Sequence, residues 1–285
     1  MTCATDLLGL ERRVAGTPWG SLRAYVGGEG PPLALLHGLG AAAVTWLELV
    51  SALRQRHRVV ALDLPGHAGS EPLPRGSAVA RFADAVAAAL ASLEARPALV
   101  VGHSFGGQVA LRLALRHPDT VRALLLVAPS GGVPLSRRTR LFGEATTLLR
   151  PGALIAPLAL RLAGRPWFRR VAFQPWLAAS GAAVSPAAAR AFFLELRSHG
   201  DVRGAFRALR TDAEVPAGTQ LGRPAIAVWG ARDLVVPAAR GVELARRLGI
   251  ELRVVAEAGH LLAAERPDAV LDAVGALDER ARAEA

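Results

Sequence analysis

Short apolar runs alternate with segments of helical periodicity over the first 130 residues. Alternation of apolar and polar residues predicts an early antiparallel strand at Ser21–Gly27, and the apolar runs predict strands at Pro32–Gly38, Arg58–Gly66, Ala98–Ser104 and Val121–Gly132. Apolar residues spaced three or four apart predict helices at Val44–Leu53, Ser77–Leu93 and from Ser104 through Arg116. Because continuous apolar strands are buried on both faces, the pattern favours a parallel sheet covered by helices, that is, a doubly wound α/β fold.

This alternation stops after about residue 134. From Leu135 to Ala213 the sequence gives only helical signals, interrupted by five prolines. Strands are predicted again at Pro224–Asp233 and Glu251–His260, and helices over Ala238–Leu248 and from about Arg266. We therefore predict one α/β domain, formed by residues 1–134 and 216–285, with an all-helical insertion at residues 135–215, here called the cap.

Composition excludes several classes of protein. Apolar residues make up 52% of the 285 residues, which is enough for a large buried core and too many for a disordered chain. The single cysteine, Cys3, allows neither an intrachain disulfide nor a cysteine-based zinc site. The N-terminal residues do not resemble a signal peptide, and no apolar run reaches the roughly 18–20 residues of a membrane helix. We expect a soluble cytoplasmic protein with no integral membrane segment.

The net charge is +10, and every basic side chain other than histidine is an arginine. Mechanisms that need a lysine are therefore excluded. Residues 131–215 hold 13 arginines against five acidic residues, so the cap is the most basic part of the chain. The cap could be a solvated face that reflects coding bias, or it could attract an anionic substrate or an acidic lipid surface. No spacing typical of nucleic-acid binding is present, and we expect no such partner.

The strongest chemical motif is Gly102-His103-Ser104-Phe105-Gly106. It follows an apolar strand and precedes a helix, which is the context of a sharp turn that presents a serine nucleophile. The alternative is a glycine-rich turn with a serine that caps the helix. The placement between strand and helix favours Ser104 as the nucleophile.

A nucleophilic serine needs a base and an orienting carboxylate. Among seven histidines, His260 is the best candidate, because it follows the last predicted strand. His57, His117 and His199 are expected at the surface. Asp233 follows the penultimate strand, which gives the chain order Ser104, Asp233, His260. Asp63 and Asp212 are the competing acids.

An acyl-transfer site also needs donors for an oxyanion. The backbone N–H of Phe105 is one candidate, and the N–H of Leu39 is the other, because glycines on both sides let its loop turn the amide inward. His37, Gly38 and His103 are expected to line the same site. We interpret His103 as a positioning residue.

Several segments together resemble one known family. They are LLHGLG, VVALDLPGHAGS, VVGHSFGGQVALRLALRHPDTVRALLLVAPSG, AVWGARDLVVP and AEAGHLLAAERP. The chain resembles an α/β-hydrolase of the esterase/lipase-like group over nearly its whole length outside the cap. The resemblance implies a mostly parallel eight-stranded sheet flanked by helices, with an all-helical cap inserted after the sixth strand and placed over the active site.

The resemblance implies a serine hydrolase that cleaves carboxylic esters of small to medium acyl chain, with no metal and no organic cofactor. The nucleophile Ser104 argues against dehalogenases and epoxide hydrolases, which use an aspartate there. C–C bond hydrolysis, thioester hydrolysis, acyl transfer and a non-catalytic ligand-binding role remain open. The aromatic residues Trp167, Phe168 and Trp176 could bind the acyl chain or pack the cap. The sequence leaves the oligomeric state open.

Overall fold

The computed structural model of the protein describes residues 9–133, 151–174, 176–195, 201–212 and 214–284, and also residues 137, 140, 141, 144 and 145. These residues contain one eight-stranded sheet in the order β1-β2-β4-β3-β5-β6-β7-β8. The strands are β1 Glu11–Thr17, β2 Gly20–Gly27, β3 Pro32–Leu36, β4 Arg58–Leu62, β5 Ala98–His103, β6 Val121–Val127, β7 Ala225–Gly230 and β8 Glu251–Val255. Strands β3 to β8 run parallel, and β2 pairs antiparallel with both β1 and β4.

Helices cover the sheet, and a 3₁₀ turn at Ala43–Trp46 precedes the first of them. The helices among the described residues are α1 Leu47–Leu53, α2 Val79–Ser92, α3 Phe105–Arg116, α4 Pro151–Leu162, α5 Pro166–Phe173, α6 Pro186–Glu195, α7 Val202–Thr211, α8 Ala238–Leu248, α9 Leu262–Glu265 and α10 Pro267–Ala283. This arrangement confirms the predicted fold class. None of these helices is long and apolar enough to cross a membrane.

Burial explains which strands the sequence pattern could identify. Every residue of β5 and β7 is buried, and only the first residue of β3 and of β4 is partly accessible. These central strands are apolar because helices pack on both faces of the sheet. The edge strand β1 was not predicted from its pattern, because five of its seven residues are exposed and two of them are adjacent arginines.

Helices α4 to α7 lie between β6 and β7 in the chain, where the cap was predicted. A second buried cluster, apart from the main core, holds this segment together and consists of Ala159, Ala163, Phe173, Ala178, Val184, Ala189 and Phe193. A separate core is the expected signature of an inserted unit. The boundaries 135 and 215 remain predictions, since part of the cap, including His199, lies outside the described residues, as does Cys3.

Candidate active site

The carboxyl ends of four parallel strands meet at one edge of the sheet. Strand β5 leads directly to Ser104, β7 leads to Asp233, and β8 leads to His260. Strand β3 ends one residue before His37. Ligands of open α/β sheets bind at this edge, so the fold brings the sequence-predicted residues to the expected place.

Ser104 occupies a strained turn between β5 and α3. Its backbone has φ 52° and ψ −117°, in the positive-φ region that non-glycine residues seldom adopt. Such strain costs about 1–3 kcal/mol, and it persists only where the surrounding structure enforces it. The turn reverses the chain within one residue and lifts the serine side chain above the sheet edge.

The glycines of the motif permit close approach of backbone to backbone. A Cβ at Gly106 would lie 2.2 Å from the carbonyl oxygen of Leu36 and 2.4 Å from that of His37. A Cβ at Gly102 would lie 2.4 Å from the carbonyl oxygen of Gly106. The first turn of α3 therefore packs directly on the end of β3, which sets the distance between Ser104 and the loop of His37.

Three side chains form one hydrogen-bonded chain. The Nε2 atom of His260 lies 3.0 Å from Oγ of Ser104, and its Nδ1 atom lies 2.7 Å from Oδ2 of Asp233. All three residues are buried. A carboxylate at Nδ1 places the proton there, which leaves Nε2 free to accept the serine proton. The arrangement can therefore activate Ser104 as a nucleophile.

Asp233 is held by more than the histidine. Its Oδ1 atom accepts hydrogen bonds of 2.8 Å from the N–H groups of both Val235 and Val236. These bonds fix the carboxylate so that Oδ2 faces His260.

The two competing acids have other partners. The carboxylate of Asp63 pairs with Arg23 and accepts a hydrogen bond from the N–H of Ala43. The carboxylate of Asp212 pairs with Arg112 and accepts a hydrogen bond from Gln108.

His103, the last residue of β5, supports the backbone of His260. Its Nε2 atom lies 2.8 Å from the backbone carbonyl oxygen of His260, and the two rings lie 4.8 Å apart. Burial, with a smaller contribution from the nearby His260, lowers the pKa of His103 to about 3. His103 is therefore neutral near pH 7, with its Nε2–H donating to that carbonyl.

The loop after β3 is fixed by His37, which is fully buried. Its Nδ1 atom lies 2.8 Å from the carbonyl oxygen of Gly38, and its Nε2 atom accepts the N–H of Leu64 at 2.9 Å. A Cβ at Gly38 would lie 3.2 Å from Cβ of Ser104, so this loop borders the serine. His37 therefore orients the peptide that carries the N–H of Leu39.

One predicted oxyanion donor belongs to Phe105, which follows Ser104, and the other belongs to Leu39, in the loop that borders the serine. Phe105 is the first residue of α3, where the helix offers the N–H no acceptor. Leu39 lies in a turn closed by a 3.2 Å hydrogen bond from the N–H of Ala41 to the carbonyl oxygen of Gly38. The arrangement can supply two backbone donors to one oxygen, and that role remains a prediction.

Sequence reasoning missed Glu265, which joins the His260 loop to the cap. One oxygen of its buried carboxylate accepts the N–H of Gly259 at 3.0 Å, and the other accepts those of Ala179 and Ser180 at 2.7 and 3.2 Å. Burial raises the pKa of Glu265, and these backbone bonds oppose the rise. In addition, the N–H groups of His260 and Leu261 both donate to the carbonyl oxygen of Leu177.

The predicted cap aromatics are not equivalent in the structure. Phe168 packs within the cap, with its ring 5.7 Å from that of Phe193. The indoles of Trp167 and Trp176 are more than half exposed. A substrate-binding role for the three residues remains a prediction, and the geometry favours a packing role for Phe168.

The expectation that His57 lies at the surface was wrong. His57 is 4% exposed, and its Nε2 atom lies 2.7 Å from the carboxylate of Asp278, which also pairs with Arg122. The residue was misread because its carboxylate partner lies on α10, 221 residues along the chain. His117 is partly exposed and pairs with Asp84.

The described residues contain no group of three or more histidine, cysteine, aspartate or glutamate residues that could hold a metal ion.

Comparison with known proteins adds the following. A family model described as alpha/beta hydrolase fold matches residues 31–267. A pimeloyl-[acyl-carrier protein] methyl ester esterase of Chromobacterium violaceum is 37% identical over 78% of this chain and 83% of its own length. The dihydrolipoyllysine-residue acetyltransferase component of the acetoin cleaving system of Pseudomonas putida is 32% identical over 86% of this chain and 63% of its own length. A carboxylesterase from Bacillus subtilis superposes with a TM-score of 0.72 at 20% identity, over 96% of this chain and 94% of that one, which is a likeness of fold.

Proposed function

The chain belongs to the α/β hydrolase fold family, and from that premise we propose that it is a serine esterase that cleaves carboxylic esters of small to medium acyl chain. The strongest support for the proposal is the arrangement of three side chains. The hydroxyl of Ser104, the imidazole of His260 and the carboxylate of Asp233 are joined by hydrogen bonds of 3.0 and 2.7 Å in a buried site.

The reaction begins with attack of Ser104 Oγ on the ester carbonyl carbon. His260 Nε2 takes the hydroxyl proton as the C–O bond forms, and Asp233 stabilises the resulting imidazolium. The N–H groups of Leu39 and Phe105 donate to the oxyanion of the tetrahedral intermediate. His260 then gives the proton to the leaving alkoxide, and an acyl-serine remains.

Water completes the cycle by the same route. His260 takes a proton from water as the water oxygen attacks the acyl carbon, and the proton returns to Ser104 Oγ when the acid leaves. Every group in these steps belongs to the chain or the substrate, so the mechanism uses no metal and no organic cofactor.

The test is hydrolysis of p-nitrophenyl acetate, butyrate, octanoate and palmitate by the wild type and by Ser104→Ala. We expect Ser104→Ala to lower kcat/KM by at least about 10³-fold, because it removes the nucleophile. Ser130→Ala is the matched control: Ser130 is also buried, and its N–H donates to the carbonyl oxygen of Ser104, but its hydroxyl has no role in the mechanism. That control should keep kcat/KM within about twofold. Methyl esters of longer acyl chains should be tested next, because the Chromobacterium violaceum relative is named as a methyl ester esterase.

A wild type that is folded but no faster than Ser104→Ala on any ester would contradict the proposal. Covalent labelling by a fluorophosphonate then separates the alternatives. Labelling of Ser104 without ester hydrolysis would point to acyl transfer, thioester hydrolysis or C–C bond hydrolysis. Absence of labelling would point to a ligand-binding role.

Acyl transfer is the second candidate, because one relative is named as an acetyltransferase component. It uses the same acyl-serine and differs only in the acceptor that attacks it. Turnover of p-nitrophenyl butyrate with increasing concentrations of a small thiol or alcohol distinguishes the two. A transferase makes mainly the new thioester or ester, whereas a hydrolase makes mainly butyrate.

A further inference from the structure

The outer face of α5 carries large apolar side chains that no described part of the chain covers. Trp167 and Val171, four residues apart, are 56% and 67% exposed, and Arg170 is exposed between them. The opposite face packs inward through Arg169 and Phe173. A helix that meets only water would carry polar residues on its outer face.

The preceding helix and the following turn repeat this pattern. On α4, Ile155 and Leu158 are 49% and 59% exposed, while Ala156 and Ala159 are buried. Trp176, just after α5, is also exposed. We call the exposed apolar and arginine side chains of α4, of α5 and of the turns after each of them the outer cap surface.

This surface is also strongly cationic. From residue 145 to residue 194 the sequence contains six arginines and no acidic residue. Arg169 is buried and donates to the carbonyl oxygens of Ala163 and Gly164. Arg161, Arg165 and Arg170 are exposed, and none of them pairs with an acidic side chain among the described residues. On the α/β domain some exposed arginines, such as those at positions 13, 232 and 266, pair with neighbouring carboxylates, and others, at positions 12, 56 and 75, form no such pair among the described residues.

We propose that the outer cap surface docks the protein peripherally on an anionic lipid bilayer. The tryptophans and aliphatic side chains enter the boundary between headgroups and acyl chains, and the arginines meet lipid phosphates. A second copy of the chain fits less well, because a two-fold contact would place unpaired arginines against arginines. The proposal does not depend on the esterase reaction, because it concerns binding alone.

The test measures binding of full-length Ser104→Ala to vesicles, so that it does not depend on catalysis. The vesicles contain phosphatidylcholine alone or equal parts of phosphatidylcholine and phosphatidylglycerol. We expect co-sedimentation with the anionic vesicles at least about tenfold tighter than with neutral ones, and weaker binding as salt rises from about 0.05 M to about 0.5 M. Tryptophan emission should shift to shorter wavelength on binding, because indoles leave water.

Two variants test the two halves of the surface. Trp167→Ser with Val171→Ser removes apolar area, and Arg161→Gln with Arg165→Gln and Arg170→Gln removes three charges. Each should weaken binding to anionic vesicles by about tenfold or more. The matched controls are Val14→Ser with Val242→Ser, which are equally exposed on the α/β domain, and Arg12→Gln with Arg56→Gln and Arg75→Gln. The controls should bind like the parent protein.

Three results would overturn the proposal. The first is equal or absent binding to the two kinds of vesicle. The second is equal loss in the arginine control, which would mean attraction by the net charge of the whole protein. The third is self-association of the parent protein that the Trp167/Val171 variant alone abolishes, as measured by gel filtration over a range of protein concentrations. That result would assign the surface to a second copy of the chain.

Discussion

The site at the sheet edge and the outer cap surface are built in opposite ways. Around Ser104 the polar groups are buried, hydrogen bonds join Ser104, His260 and Asp233, and a Cβ at Gly102 or Gly106 would overlap backbone atoms. On the outer cap surface, apolar side chains face water, and the exposed Arg161, Arg165 and Arg170 have no acidic partner among the described residues. Close packing constrains each atom of the first region, whereas only the inner face of the second is constrained.

Hydrogen bonds join the cap to the loop of His260. Backbone donors from the His260 loop bind Leu177, and Glu265 binds Ala179 and Ser180. Because these bonds include the N–H of His260 itself, a change in the cap can reach the chemistry through them. The following predictions separate effects confined to one region from effects that cross between them.

The largest effect is expected for Asp233→Asn. The amide oxygen would accept the N–H groups of Val235 and Val236, and the NH₂ would donate to Nδ1 of His260. His260 would therefore take the other tautomer, and kcat/KM should fall by about 10³–10⁴-fold. Asp212→Asn is the control from the cap side, because Asp212 pairs with Arg112 and Gln108 instead. It should lower thermal stability and leave kcat/KM within about threefold. Equal losses of rate in the two variants would refute the assignment of Asp233.

A large loss of stability is expected for Gly106→Ala, because its Cβ would overlap two backbone carbonyl oxygens of the β3 edge. We expect the free energy of unfolding in urea to fall by about 3 kcal/mol. Gly164→Ala, in the cap, meets no atom within 4 Å and should change it by less than about 0.5 kcal/mol. Similar losses of unfolding free energy in the two variants would mean that the two regions are equally closely packed.

His103→Gln should change the pH dependence of stability. The folded pKa of His103 is about 3, below the ordinary value of 6.5, so the unfolded chain takes up this proton first as pH falls. This residue should therefore cost the wild type about 2 kcal/mol of stability between pH 7 and pH 5. Glutamine can still donate to the carbonyl oxygen of His260 but does not titrate. The variant should therefore lose about 2 kcal/mol less stability than the wild type between pH 7 and pH 5. Parallel stability curves from pH 7 to pH 5 would show that His103 does not have this depressed pKa.

The smallest effect is expected for Glu265→Gln, which tests the connection between the regions. Its amide NH₂ would face one of the backbone N–H groups now bound by carboxylate, so the loop of His260 should loosen. We expect kcat/KM to fall by up to about tenfold, with the loss mainly in kcat. Glu257→Gln is the control, since Glu257 is exposed and pairs only with Arg232 among the described residues. A loss of stability with unchanged kcat would show that Glu265 supports the fold and not the base.

Much of the site was predictable because its signals are local. The sequence around Ser104 encodes a strand, a tight turn and a helix within a few residues, and chain order after successive strands pointed to Asp233 and His260. Six of the eight strands were identified by apolar runs and β2 by its alternating pattern. These features follow from backbone geometry and from burial on both faces of a sheet, which leave a mark on adjacent residues.

The missed features depend on residues distant in the chain. His57 meets Asp278, which is 221 residues away, and Glu265 meets Ala179 and Ser180, which are 86 and 85 residues away. A polar residue that pairs across such a distance looks like a surface residue in the sequence. The edge strand β1 was missed for a related reason, since its pairing with β2 uses backbone groups and leaves its side chains in water.

The sequence by itself determined the fold class, the family resemblance and the order of the candidate triad residues, because these depend on local turns and on which segments are apolar enough to be buried. Only the tertiary structure decided that His103 and Glu265 hold the loop of His260, and that the cap turns tryptophans and arginines toward solvent. These facts depend on which buried groups find partners and which faces remain uncovered, and both are set by packing between segments far apart in the chain.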